Sequence, residues 1–192
     1  MNTQDLPTIY FESAEAWTNW LHQNHQTPDG LWLKLAKKGS GLPTVTYAEA
    51  LEVALCYGWI DGQKKSFDDT YWLQKFTPRR PKSIWSKINR QKAEALIAAR
   101  KMQPAGLLEV ERAKEDGRWQ VAYDSQSKAS VPDDLQAALD TNPAANAFFQ
   151  TLNSRNRYAI LHRIQTAKRP ATRTKRIQQF IEMLERNELL YP

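Results

Sequence analysis

The residues best equipped for chemistry crowd into one stretch, GWIDGQKKSFDDTYWLQKFTPRRPKSIWSKIN, which opens at Gly58 and closes at Asn89. Two prolines stiffen TPRRPKSIW, and the pattern predicts a helix that begins at Ser83 and runs to about Arg100. The unpaired N–H groups and the dipole of such a helix start favour an anion. Arg79, Arg80 and Lys82 stand just before that start, and Lys87 and Arg90 fall one or two turns inside it. A guanidinium can grip two phosphate or carboxylate oxygens at once. Trp72 and Trp85 offer flat faces, and Trp59 and Asp61 complete an aromatic and acidic surround. Together these residue types point to binding of an anionic small molecule or a phosphate-bearing group.

A scaffold reading competes. Asp61, Asp68 and Asp69 are close enough in sequence to neutralise the arginines, and tryptophans usually pack in cores. Asp61 has two further readings. It could cap a turn through its Asp-Gly pair. It could also join Arg79 and Arg80 in an enzyme acting on a phosphorylated or carboxylated substrate. Acid–base catalysis needs a nucleophile, a metal or a defined substrate grip, and none stands at a telling spacing, so the balance leans away from catalysis. His22 and His25 lie three apart without a third ligand in their segment, and Cys56 is the single cysteine. Neither a metal site nor a cofactor is expected.

A second basic cluster lies near the C-terminal end, in SRNRYAILHRIQTAKRPATRTKRIQQFIEMLERNELL. Its apolar positions mark two amphipathic helices, roughly 154–167 and 172–187. Lys168, Arg169, Arg173, Lys175 and Arg176 decorate the turn and the second helix. This arrangement supports nucleic-acid binding as the alternative function, against the plainer reading of a solvated charged face.

These groups need a scaffold, and the chain is long enough to build one. It has 192 residues, 41% of them hydrophobic, with 27 Lys+Arg against 21 Asp+Glu for a net charge of +6. That surplus suits anionic partners and says nothing of fold. The N-terminus lacks the basic start and apolar run of a secretory signal, and no apolar stretch is long enough to span a bilayer, so a cytoplasmic location is expected.

All seven tryptophans precede residue 120. TIYF, GLWLKLA, QKKSF and TYWLQKFT read as strands, the last two as a hairpin around Asp68 and Asp69. Ser13 and Thr46 cap helices, the latter with Glu49 in a capping box, and Gly58 stops the second helix. Pro104 opens another helix that Gly117 closes. After a polar stretch the chain is helical only, with starts at Pro132, Pro143 and Ser154. The expected class is α+β: a small tryptophan-rich two-layer α/β sandwich over residues 1–120, a linker over 121–131, and a helical domain over 132–192.

The phrases LCYGWIDGQKKSFDDTYWLQKFTPRRPKSIWSKINRQKAEALI, MQPAGLLEVERAKEDGRW and YAILHRIQTAKRPATRTKRIQQFIEML resemble the YdeI/OmpD-associated family, also labelled bacteriocin-protection proteins. The likeness covers nearly the whole chain. It implies a stress- or toxin-tolerance role and supplies no reaction or catalytic set.

Overall fold

The computed structural model describes residues 6–124 and 129–192. The centre of the expected linker, residues 125–128, lies outside them. The chain divides into two compact units. The first comprises Met1–Ser83 and Asn89–Asp116, and the second Ile84–Ile88 and Gly117–Pro192.

The first unit is built on a four-stranded sheet. Its strands are β1 (Thr8–Tyr10), β2 (Leu31–Ala36), β3 (Trp59–Ser66) and β4 (Tyr71–Pro78), in spatial order β1-β2-β4-β3. The β1–β2 pair is parallel and the other two are antiparallel. Helix α1 (Ala14–Asn24) begins where Ser13 accepts the Ala16 N–H at 3.1 Å. Helix α2 (Tyr47–Cys56) begins at a complete Thr46–Glu49 capping box. Gly58, at φ 76°, turns the chain out of α2 and straight into β3, a left-handed conformation that glycine adopts without steric cost.

Register explains which strand residues pack. Leu31, Leu33 and Leu35 of β2 lie opposite Phe76, Gln74 and Trp72 of β4 and therefore share one face. Helices α1 and α2 cover that face. Trp17 is fully buried, 5.8 Å from Phe76 and 6.2 Å from Trp59 between ring centroids, and its indole N–H donates to Ala50 O. Trp20 stacks on Trp17 at 5.4 Å. Such ring pairs add about 0.5–1.5 kcal/mol each beyond the area they bury. Cys56 is buried here, and desolvation followed by the charge of Glu52 pushes its thiol up to about 11.

Helices α3 (Lys87–Ala98) and α4 (Pro104–Glu115) follow. Helix α3 starts at Lys87 rather than Ser83. Ser83 instead closes a turn, its hydroxyl accepting the Arg80 N–H at 2.9 Å. Helix α4 opens at Pro104, as expected, and meets α2 at Gly106.

The second unit holds α5 (Asp133–Asp140), α6 (Pro143–Thr151), α7 (Ser154–Gln165) and α8 (Pro170–Glu185). Apolar residues at helical spacing make its core: Leu135 and Leu139, Ala145 and Phe149, Ile160 and Ile164, and Ile177, Phe180 and Leu184. The protein is thus α+β, with a strand-containing unit and a helical one. No described helix is long and apolar enough to cross a membrane.

A Cβ at position 106 would lie 2.2 Å from Cys56 O and 2.7 Å from Leu55 O, both rigid backbone atoms. Gly106→Ala should therefore lower stability by about 2 kcal/mol or more, read as a reduced urea midpoint with unchanged slope.

Candidate functional site

The six expected anion ligands are not gathered at one helix start. Arg79 is buried, and its backbone N–H donates to Gly58 O at 2.9 Å, whereas Arg80 and Lys82 are exposed on the turn that Ser83 closes. Arg79 and Arg80 do meet, joined by Lys75, in a cleft of about 250 Å³. Lys87 belongs to the second unit, where its ammonium sits 2.9 Å from Asp124 and its backbone N–H donates to Tyr123 O. One first-turn donor that was to face a ligand is therefore already bonded. Arg90 lies 3.6 Å from Glu94, one turn along α3.

The residues of the aromatic surround are divided between the two units. Trp59 is fully buried in the sheet unit, its indole N–H donating to His25 O at 2.9 Å. Trp85 is buried in the second unit with Trp119 at 4.8 Å. Both are core. Asp61 does not cap a turn. It pairs across from Phe76 within β3 and accepts a hydrogen bond from the Tyr47 hydroxyl at 2.8 Å. Desolvation, then the nearby Asp61 carboxylate, holds the Tyr47 phenol well above its ordinary range, so it remains a donor.

A different part of the same stretch forms a site. Between Asp61 and Lys64 the β3–β4 register shifts. Asp61 faces Phe76 while Lys64 faces Gln74, so β3 carries one extra residue. A slip of one residue exchanges the faces of everything that follows. Lys64 and Ser66 consequently share the face of Trp72, and Lys65 takes the opposite face with Trp32. The ammonium of Lys64 lies 4.3 Å from the Trp72 ring centre and that of Lys65 lies 4.1 Å from the Trp32 ring centre. The bulge is held by buried Gln74, whose amide N–H donates to Gly62 O at 2.9 Å and Gln63 O at 3.2 Å.

The hairpin turn is closed without glycine. Asp68 Oδ1 accepts the N–H groups of Thr70 at 2.8 Å and Tyr71 at 2.6 Å. Against an opposing desolvation, these donors and the charges of Lys34 and Lys37 hold the Asp68 carboxyl below its ordinary range. Lys37, directly after β2, donates its backbone N–H to Thr70 O. This bond sets Lys37 and Lys38 beside the hairpin end. The result is a cleft of about 620 Å³ lined by Lys37, Lys38, Lys64, Lys65, Ser66 and Trp72. Among the described residues, none of these four ammonium groups lies within ion-pairing distance of a carboxylate. Of the residues expected from sequence, only Trp72 lines this cleft. Lys37 and Lys38 sit about 20 residues before the stretch and carry no local signal beyond their charge.

The second basic cluster is partly consumed internally. Arg173 forms a two-pronged pair with Asp134, at 2.5 and 2.8 Å, and also donates to Ile164 O at the end of α7. Arg176 donates to Arg163 O. Lys168, Arg169 and Lys175 are exposed.

A family model described as Domain of unknown function (DUF8412) matches residues 9–109, just over half of the chain. A second, described as Bacteriocin-protection, YdeI or OmpD-Associated, matches residues 128–187. The chain belongs to the first family and carries a domain of the second. No curated protein and no solved structure matches it. The YdeI/OmpD-associated likeness read from sequence thus holds for the helical segment. The stretch from Gly58 to Asn89 and the lysine cleft both lie wholly within the residues matched by DUF8412.

Gln74→Leu would leave two bulge carbonyls without their donor. It should cost about 1–3 kcal/mol in urea unfolding and speed amide exchange across Ile60–Ser66. In the helical unit, the Arg173 hydrogen bond holds the Asp134 carboxyl below its ordinary value of 3.8. Its stabilisation is therefore present above that value and is lost as pH falls further. Arg173→Ala should lower stability by about 0.5–1 kcal/mol at pH 7 for this largely solvated pair. The difference between wild type and variant should shrink as pH falls below 3.8.

Proposed function

We propose that the sheet unit binds a multiply charged anion, a phosphate-bearing ligand above all, at the lysine cleft, and that this binding serves a stress- or toxin-tolerance role. One observation carries the reading: four lysines line one cleft, and among the described residues none of their ammonium groups lies within ion-pairing distance of a carboxylate. Like charges brought together without neutralisation cost stability, and an anion offsets that cost on binding. Lysine ammonium groups are strongly hydrated point charges on flexible stems, which suits a dense, rotatable charge such as a di- or triphosphate. Ser66 adds a hydroxyl donor. The Trp72 face, with the Tyr47 ring 6.2 Å away, adds a surface against which a ring can lie. The tolerance role takes its support from the description of the family matched by residues 128–187.

Tripolyphosphate and ATP are the probes for this reading. Each should raise the melting temperature at low ionic strength, with the effect falling steeply as salt is added. Lys64→Ala combined with Lys65→Ala should weaken binding at least tenfold while leaving the unliganded melting temperature near wild type. A protein indifferent to both probes at low salt, or one whose affinity survives the double substitution, would overturn the proposal.

A further inference from the structure

The helical unit carries its own cleft, of about 540 Å³, on a different side-chain chemistry. Arg155, Tyr158, His162 and Arg163 fall at i, i+3, i+7 and i+8 along α7 and so share one face. Ala159, between them, leaves room at the floor. One wall is Tyr191. The side chain of Asn156, almost fully buried, holds it by a reciprocal pair: Asn156 Nδ2 donates to Tyr191 O at 2.9 Å, and Tyr191 N–H donates to Asn156 Oδ1 at 2.9 Å. So placed, the Tyr191 ring lies 4.5 Å from the Arg155 guanidinium and 5.9 Å from that of Arg163. Arg163 Nη2 also donates to the Tyr191 hydroxyl at 3.4 Å.

The other wall is aromatic. Tyr123 stands edge-on to His162 at 4.6 Å, and Tyr158 lies 5.6 Å from the same ring with its hydroxyl donating to Asp124 O. The Asp124 carboxylate is engaged by Lys87 and Gln165. Among the described residues, neither Arg155 nor Arg163 forms an ion pair. Burial, then the charges of Arg163 and Arg176, lowers the His162 pKa, so at neutral pH this residue adds a ring rather than a charge.

We propose that this cleft binds a planar ring bearing an anionic group, a nucleotide unit being the fitting class. Guanidinium groups stacked on a tyrosine keep their edge N–H donors for phosphate oxygens, while the Tyr123, Tyr158 and His162 rings receive a flat base. The volume of this open cleft is within the range of small-molecule sites. A nucleotide comes either free or as one unit of a single strand, and both present the same ring and phosphate. The site is separate from the lysine cleft and stands whether or not that cleft binds phosphate.

Titration calorimetry of the full chain with AMP, adenosine, ribose 5-phosphate and an oligoadenylate tests the inference. The His162 ring-proton NMR signal reports the location. AMP or the oligoadenylate should bind and shift that signal, with adenosine and ribose 5-phosphate each at least tenfold weaker than AMP. Binding by the strand without AMP binding assigns the strand as the source. Arg155→Ala combined with Arg163→Ala should reduce binding tenfold or more, and Lys64→Ala with Lys65→Ala should leave it unchanged. Should the arginine variant lose its fold, the His162 signal of the wild-type protein still decides the matter. An unmoved His162 signal with both ligands, AMP affinity unaltered in a folded arginine variant, or ribose 5-phosphate binding as tightly as AMP would each overturn it.

Discussion

The lysine cleft depends on one extra residue in β3. A regular strand would place Lys64 with Trp32's face and Lys65 with Trp72's; the bulge after Asp61 reverses both. Each ammonium then meets an indole within about 4.5 Å, where ring and cation attract by about 0.5–1 kcal/mol at exposed sites. The bulge itself leaves backbone carbonyls without ladder partners, and a buried carbonyl without a donor is costly. Gln74 answers that need from the neighbouring strand. A single buried amide therefore supports the bulge that sets the direction of two lysines.

The tryptophans divide by role in a way their density conceals. Trp17, Trp59 and Trp85 are buried to the last few per cent of their surface. Each is surrounded by rings or by aliphatic residues, and Trp17 and Trp59 satisfy their N–H on backbone carbonyls. Trp72 differs because it stands at the hairpin end, flanked by Tyr47 at the very start of α2 and by the Lys64 ammonium. Its partial exposure follows from its position along the strand, not from any property of its own side chain.

In the helical unit the basic residues follow the same logic. Arg173 and Arg176 hang from α8 yet reach carbonyls of α7, where a helix C-terminus leaves acceptors unfilled. Arg155 and Arg163 lie on α7 itself and lie over Tyr191 instead. Charges that look alike in sequence thus serve different ends. Some close a helix terminus, and others line a cleft.

The element order was legible in the sequence because it is set locally. Ser13, the Thr46–Glu49 box, Gly58, Pro104 and Pro143 mark their boundaries through backbone hydrogen bonds and φ restrictions that act within a few residues. The α+β class and the helical character of the second half followed from the same short-range signals and from apolar periodicity. The start of α3 did not, because Ser83 is a capping residue type that here closes the Arg80 turn. The aromatic faces and the site lay further out of reach. Whether a tryptophan is core or platform depends on which helix covers it. The cleft joins Lys37 and Lys38 to Lys64 and Lys65 only through strand pairing, and a one-residue bulge decides their faces. Composition and local chemistry specified what the pieces are; long-range register decided which of their charged residues line a cleft.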